Sequence, residues 1–109
     1  MGGDRDDGTD EEASMVTLRI EHAVTDLDTW LTAFGAFAEV RTQAGVRAER
    51  LLQPEGADRS ISLDLDFDDA TQARDFEQFL RTNVWSSRDA SPALDGEVQT
   101  TILVLRRSH

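Results

Sequence analysis

The sequence contains no cysteine, no lysine and no tyrosine among its 109 residues. Without cysteine, the chain can form no disulfide bond, thiolate nucleophile or cysteine–metal site. Without lysine and tyrosine, it can form no lysine Schiff base and can use no phenol as a catalytic acid. All 11 basic residues are therefore arginine. Arginine in place of lysine is typical of a GC-rich genome, so we attribute it first to coding bias and only second to function.

Positive charge is also scarce, since 11 basic residues stand against 22 acidic ones and the formal net charge is −11. A surface of this sign repels phosphate backbones, so we expect no nucleic-acid partner. No apolar run approaches the roughly 20 residues that span a bilayer. The N-terminus also lacks the basic-then-apolar layout of a secretory signal. We therefore expect no membrane contact and a cytoplasmic protein.

The first 14 residues hold six acidic residues and almost no apolar side chain. Such a segment cannot bury enough apolar surface to offset the entropy lost on ordering. We therefore predict a disordered acidic tail over residues 1–14. The hydrophobic pattern begins at Met15, where translation could also begin, and a chain of this length predicts a single domain over residues 15–107.

Two hydrophobic periods alternate along that domain in the order strand, helix, strand, strand, helix, strand. The strands are predicted over residues 15–22, 46–53, 60–67 and 97–105. The helices are predicted between a cap at Thr25 or Asp26 and a stop at Gly45, and over residues 70–84. This order predicts an α+β fold, the ferredoxin-like β-α-β-β-α-β sandwich, with both helices on one face of a four-stranded antiparallel sheet in the order 4-1-3-2.

This topology leaves one face of the sheet without helices. By alternation, that face carries Arg19, Asp64 and Asp66 beside apolar residues such as Leu103. The second strand is predicted to add Arg47, Glu49, Leu51 and Gln53. Strands one and three should be antiparallel neighbours, which brings Arg19 near Asp64 or Asp66 as an ion pair. The two carboxylates, about 6.6–7 Å apart along the strand, could instead do acid–base work or bind a cation.

The helix-free face is either a solvated surface or an interface, and its apolar members favour the interface. We predict a homodimer in which two such sheets pack together as a dimeric α/β barrel with the helices outside. Its dimer face would contain Arg19, Asp64, Asp66 and Leu103. The charged members would then need partners, because a buried unpaired charge is costly.

His22 is the only histidine within the predicted fold, because His109 is terminal. It ends the buried face of the first strand, where an imidazole facing a helix–sheet pocket could do acid–base catalysis. The alternative is a histidine that hydrogen-bonds the loop at Thr25 or Asp26. No other histidine or carboxylate spacing suits a metal ion, so no metal site is predicted.

Four aromatic residues are the candidate wall of a ligand pocket. Trp30 and Phe34 share one helical stripe, and Phe76 lies on the stripe of the second helix, so these three could equally be ordinary core. Trp85 follows the second helix, where its indole N–H can find a partner at a pocket mouth or a dimer contact.

Two parts of the chain resemble a known group of proteins. The first comprises residues 16–22, 28–30 and 44–46, and the second comprises residues 79–85 and 91–94. Over about residues 15–106, the chain resembles the small dimeric α/β-barrel proteins. These include the antibiotic-biosynthesis-monooxygenase-like group and the actinobacterial cyclase-like domains.

This resemblance implies several possible activities. The superfamily contains cofactor-independent quinone-forming monooxygenases, isomerases, haem-degrading enzymes and stress-response barrels. Haem-degrading members use a histidine of the second helix, but residues 70–84 contain none, so we expect no haem and no other cofactor. Quinone-forming members use Trp, Tyr, Asn and Arg. Here Arg81, Asn83 and Trp85 are a partial match without a tyrosine.

The resemblance therefore implies a cofactor-independent monooxygenase or isomerase that acts on an aromatic or polyketide-like small molecule. The alternatives are a non-catalytic ligand-binding or stress-related barrel and a purely structural association. The sequence names neither the ligand nor the reaction.

Overall fold

The computed structural model describes residues 15–107, so the predicted tail over residues 1–14 lies outside the described residues. Seven elements follow one another along the chain. They are β1 (Val16–Val24), α1 (Leu27–Ala36), α2 (Ala38–Ala44), β2 (Ala48–Leu52), β3 (Ser60–Phe67), α3 (Ala70–Asn83) and β4 (Leu94–Val104). The four strands form one antiparallel sheet in the order β2-β3-β1-β4. The predicted ferredoxin-like fold and strand order are confirmed.

The core lies between the helices and one face of the sheet. Alternation on β1 and β3 supplies it, because every second residue of each strand points toward the helices. Phe76 of α3 packs on these residues with its ring centre 6.0 Å from that of Phe67. The largest side chains without solvent contact are Phe67, Leu18, Leu65 and Val24.

The first helix is broken, whereas one continuous helix was predicted. Asp26 begins α1 by accepting hydrogen bonds from the Thr29 backbone N–H at 2.9 Å and the Thr29 hydroxyl at 2.7 Å. The break falls at Phe37, whose backbone N–H donates to the Phe34 carbonyl at 3.2 Å. The guanidinium of Arg41 donates to the same carbonyl at 2.6 Å. Two donors thus occupy an oxygen that a continuous helix would use for its next turn.

Gly45 ends α2 as predicted. Its φ of 100° is left-handed, and its N–H donates to the Thr42 carbonyl at 3.1 Å. A side chain here would also meet Gln72 of α3, whose Nε2 lies 2.9 Å from the position of a Cβ. The backbone conformation therefore favours glycine, and a Cβ here would also require the end of the flexible Gln72 side chain to shift.

The side of the sheet to which each β2 residue points was predicted wrongly, by a shift of one residue. Arg50 lies opposite Asp64, and Leu52 lies opposite Ser62, so these residues share the helix-free face. Glu49 and Leu51, which were predicted there, point to the other side. The reason is that all five residues of this edge strand are exposed, so no buried alternation sets its phase.

Strand β4 begins at Leu94, earlier than predicted, because pairing with β1 continues past an irregularity. Glu21 pairs with Gln99 and Ala23 pairs with Asp95, so three residues of β4 lie opposite the single residue His22. Gly96, with φ of 79°, lies in this bulge. Bulges of this kind re-aim neighbouring side chains and are common next to functional sites. No helix of the described part is long and apolar enough to cross a membrane.

Candidate functional site

A cavity of about 70 Å³ lies between the three helices and the sheet. Its wall contains all five residues that the sequence analysis proposed for catalysis or ligand binding. They are His22, Trp30, Phe34, Phe76 and Trp85. The structure therefore brings these residues together around one space, from β1, α1, α3 and the segment after α3.

The cavity exists because α1 packs loosely on the sheet. None of its ten residues is buried. Trp30 and Phe34 reach the core only as half-buried side chains, and Leu31 is 40% exposed. A helix held by two aromatic side chains leaves space beneath it. The segment around Ala93, which is 1% exposed, closes the other side.

His22 is buried in this wall, and its hydrogen bonding defines its tautomer. Nδ1 lies 2.8 Å from the backbone carbonyl of Ala23. A carbonyl oxygen only accepts, so Nδ1 carries the proton and Nε2 of the neutral ring keeps a lone pair. Burial lowers the pKa of His22 below its usual value of 6.5, and the bond to Ala23 opposes this shift only in part. His22 is therefore neutral at pH 7.

The alternative partners of His22 named from the sequence, Thr25 and Asp26, are engaged elsewhere. The Thr25 backbone N–H donates to the Ala93 carbonyl at 2.9 Å, and Asp26 caps α1. The hydrogen-bond partner of His22 is thus the backbone of its neighbour Ala23, and not Thr25 or Asp26 as the alternative had it. The ring lies beside Trp30, with centres 6.2 Å apart and planes tilted by 55°.

An aromatic row runs from His22 along α1 and ends on a charged residue. The rings of Trp30 and Phe34 stack at 4.8 Å with an interplanar angle of 15°. The guanidinium carbon of Arg41 lies 3.5 Å from the centre of the Phe34 ring. Arg41 is 6% exposed, lines the cavity and forms a salt bridge with Glu49.

Sequence reasoning did not select Arg41 as a site residue. A signal was present, because Arg41 falls on the same apolar helical stripe as Trp30, Phe34 and Phe37. A charged residue on a buried stripe requires partners inside the fold. Here the partners are Glu49 and the Phe34 carbonyl.

Of the three residues that partly match quinone-forming enzymes, one lines the cavity and two do not. Trp85 lines it, but Arg81 and Asn83 do not. Arg81 donates to Glu77 and to the Thr100 hydroxyl, and lies 5.4 Å from the centre of the Trp85 ring. The exposed Asn83 amide donates to the backbone carbonyl of Phe79 at 3.2 Å. These contacts give Arg81 and Asn83 structural roles at the end of α3.

The helix-free face of the sheet carries a network of ion pairs. Arg19 donates two hydrogen bonds of 2.9 Å to Asp64. Arg50 donates two to Asp66, at 2.9 and 2.8 Å, and the Thr17 hydroxyl donates to the same carboxylate at 2.7 Å. The bond to Asp64 raises the pKa of Arg19, and the bond from Arg50 lowers the pKa of Asp66.

This network favours charge balance over acid–base chemistry for Asp64 and Asp66. Each carboxylate is held by an arginine, and neither lies in the wall of the cavity. Leu103 lies opposite Thr17 on the same face and is 38% exposed. Within residues 15–107, no group of three or more histidine and acidic side chains is arranged to hold a metal ion.

Comparison with known proteins gives structural neighbours only. No protein-family model and no curated protein matches the sequence. SnoaB, a cofactor-independent oxygenase from Streptomyces nogalater, superposes with a TM-score of 0.67 at 19% identity, covering 88% of this chain and 97% of its own. The likeness is one of fold.

Two dimeric ferredoxin-like proteins from an uncultured marine organism are also similar. One has a TM-score of 0.64 at 8% identity and covers 91% of this chain and 94% of its own. The other has a TM-score of 0.60 at 9% identity and covers 87% of this chain and 98% of its own. The resemblance read from the sequence is thus supported at the level of the fold.

Proposed function

We propose that the cavity binds a small aromatic molecule and that His22 is the general base of a cofactor-independent oxygenation. The observation that carries this proposal is the state of His22. A neutral imidazole lines an aromatic cavity with Nδ1 held by a carbonyl, which leaves the Nε2 lone pair to accept a proton. The similarity in fold to a cofactor-independent oxygenase supports the reaction class.

The proposed reaction uses a ring CH₂ group that is acidified by flanking carbonyl and aromatic groups, as in an anthrone. Nε2 of His22 takes a proton from this carbon, and the carbanion passes electrons to O₂ and forms a C–O bond. The resulting peroxide anion takes the proton back from Nε2 of His22, and the hydroperoxide then loses water and leaves a carbonyl. Overall, one CH₂ group and one O₂ become one C=O group and one water, so atoms and electrons balance.

The space beneath α1 is small for this class of ligand. Pockets for drug-sized ligands measure about 300–1,000 Å³, whereas this cavity measures about 70 Å³. A compound with several rings therefore requires α1 to move outward. The loose packing of α1, which buries none of its residues, supports such a movement.

Oxygen consumption tests the proposal. Anthrone-type and quinol-type compounds would be incubated with the wild-type protein, with His22→Ala and with the control Leu31→Ala, whose side chain is exposed and outside the cavity wall. Removal of a general base should lower the rate by about 10²–10⁴-fold. The control should retain the wild-type rate. Equal rates for wild type and buffer would refute the enzyme proposal.

We also propose that the chain forms a homodimer through the helix-free face. Dimeric proteins of the same fold support this assembly. The face also exposes apolar side chains, with Met15 at 40%, Leu52 at 47% and Leu103 at 38%. Arg19 and Arg50 are already paired with Asp64 and Asp66, so a second sheet could cover these four charges without leaving them unpaired.

Binding without turnover is the second candidate function. The scarcity of reactive groups favours it, since the polar side chains of the described cavity wall, apart from the indoles, are His22, Arg41 and Ser91. The Ser91 hydroxyl is already 2.8 Å from the Val84 and Ser87 carbonyls. A thermal shift with aromatic ligands but no oxygen consumption would support binding alone. No thermal shift with any ligand would leave structural association as the function.

The cytoplasmic location stays a prediction.

A further inference from the structure

Arg41 is the second polar group of the cavity, and its guanidinium is only partly engaged. Nε donates to Glu49, and Nη1 donates to the Phe34 carbonyl at 2.6 Å. Within residues 15–107, Nη2 donates to no oxygen. No buried side-chain nitrogen or oxygen of these residues lacks a partner. Nη2 therefore keeps some accessible surface, and Arg41, which is 6% exposed, lines the cavity.

A charged N–H group in this setting selects for a negative oxygen. The surrounding wall is apolar and aromatic, so the local dielectric is low and a charge-assisted hydrogen bond is stronger than in water. Arg41 is also the only charged side chain in the described wall. An anionic oxygen that enters the cavity meets one cation and no carboxylate of the wall.

The order of groups along the wall orients such a ligand. Trp30 and Phe34 lie between His22 and Arg41, and successive groups are 6.2, 4.8 and 3.5 Å apart. A ligand that packs beside this row meets His22 at one end of the row and Arg41 at the other. His22 and Arg41 can therefore contact different ends of one ligand.

We infer that Arg41 is an anion-binding group of the cavity and that the ligand is an aromatic carboxylate, with its carboxylate at Arg41 and its reacting edge at His22. This inference rests on the proposed function, since it names the ligand class of the same cavity. Glu49 is the internal competitor of the ligand. Its side chain is 36% exposed, so it can rotate away from the guanidinium into solvent.

Binding of benzoate and benzamide tests the inference, because the two have nearly the same shape and differ in charge. Both would be titrated by calorimetry and by the fluorescence of Trp30 and Trp85. Wild type should bind benzoate about tenfold or more tightly than benzamide, which corresponds to about 1.4 kcal/mol. Arg41→Gln should bind both with similar affinity. Arg41→Lys, which keeps the charge, should retain part of the preference if Arg41→Gln does not fold.

Glu49→Gln separates a binding role of Arg41 from a purely structural one. If Glu49 competes with the ligand, its neutralisation should strengthen benzoate binding several-fold and leave benzamide unchanged. The matched control is Asp68→Asn, which neutralises the exposed carboxylate paired with Arg47. This control should change neither affinity.

The outcomes separate the inference from the proposed function. Equal binding of benzoate and benzamide by wild type would overturn the inference and leave aromatic binding in place. Weaker benzoate binding by Glu49→Gln would also overturn it, since Arg41 would then need Glu49 for its position. Failure of both probes to bind would count against the cavity as a ligand site and against the inference together.

Discussion

Asp64 accepts two hydrogen bonds from Arg19, from Nε at 2.9 Å and from Nη2 at 2.9 Å. The two residues lie directly opposite each other on β3 and β1. Nε of Arg50 lies 3.9 Å from the same carboxylate. Asp64 is 4% exposed, so one nearly buried carboxylate is shared by two arginines that remain closer to solvent.

Loss of Asp64 should therefore destabilise the fold more than loss of either arginine. Asp64→Ala leaves Arg19 without a partner beside Arg50, which stays paired with Asp66, whereas Arg19→Ala leaves Asp64 with Arg50 nearby. Urea unfolding of both variants measures the difference in the free energy of unfolding. The loss in free energy of unfolding caused by Asp64→Ala should be smaller at high salt, because salt screens the repulsion between the arginines. Equal losses for the two variants would show that Asp64 is not shared.

The dimer proposal predicts that only one of two similarly exposed leucines affects assembly. Leu103 on the helix-free face is 38% exposed, and Leu31 on α1 is 40% exposed. Leu103→Glu places a charge where the second sheet would pack and should give a monomer. Leu31→Glu lies on the helical side and should remain dimeric. Light scattering at micromolar concentration gives both masses, and a monomeric wild type would refute the dimer.

The sequence predicted the sheet best where one face of a strand is buried. Strand β3 occupies residues 60–67, as predicted, since Ile61, Leu63, Leu65 and Phe67 alternate with polar residues. The pairing of Arg19 with Asp64 followed from that alternation. On β2 the same reasoning failed, because all five residues are exposed and apolar and polar residues do not alternate.

Five residues of the cavity wall were among those named from the sequence, but the polar geometry of the wall was not predicted. Helical spacing placed Trp30, Phe34 and Phe76 toward the core, and the cavity among them was inferred from the resemblance. The break at Phe37 depends on a hydrogen bond from Arg41 to the Phe34 carbonyl. Such a bond between a side chain and a backbone carbonyl seven residues away leaves no periodic signal, so the sequence did not indicate the break. Arg41 did stand out as a charged residue on the apolar stripe, but its place in the cavity wall was not predicted.

Two glycines of the first helical region should respond in opposite directions to the same substitution. Gly45→Ala forces a side chain into a φ of 100° and places its Cβ 2.9 Å from Nε2 of Gln72. It should lower the free energy of unfolding by about 1 kcal/mol or more. Gly35→Ala meets no heavy atom within 4 Å inside α1 and should raise it by about 0.5–1 kcal/mol. Urea denaturation measures both, and a stable Gly45→Ala protein would show that α2 can end differently.

The buried state of His22 should make the fold sensitive to mild acid. Burial lowers the folded-state pKa of His22 below its ordinary 6.5, so on acidification the unfolded chain takes up a proton that the native protein resists. The unfolded state then binds more protons, and stability falls as the pH drops below that ordinary value toward the folded-state pKa. Above this window, His22 is neutral in both states and contributes no pH dependence.

His22→Gln should remove this loss of stability, because glutamine does not titrate. Unfolding by urea at about pH 7.5 and about pH 5.5 should show a smaller decrease for the variant than for wild type. The paired carboxylates are separable from this effect, since the pKa of Asp66 is lowered from 3.8 and that of Asp68 is lowered as well. Their contributions are lost only at more acidic pH. Identical decreases in wild type and His22→Gln would mean that His22 takes up its proton as readily in the cavity as in the unfolded chain, and the case for a neutral base at this position would fail with it.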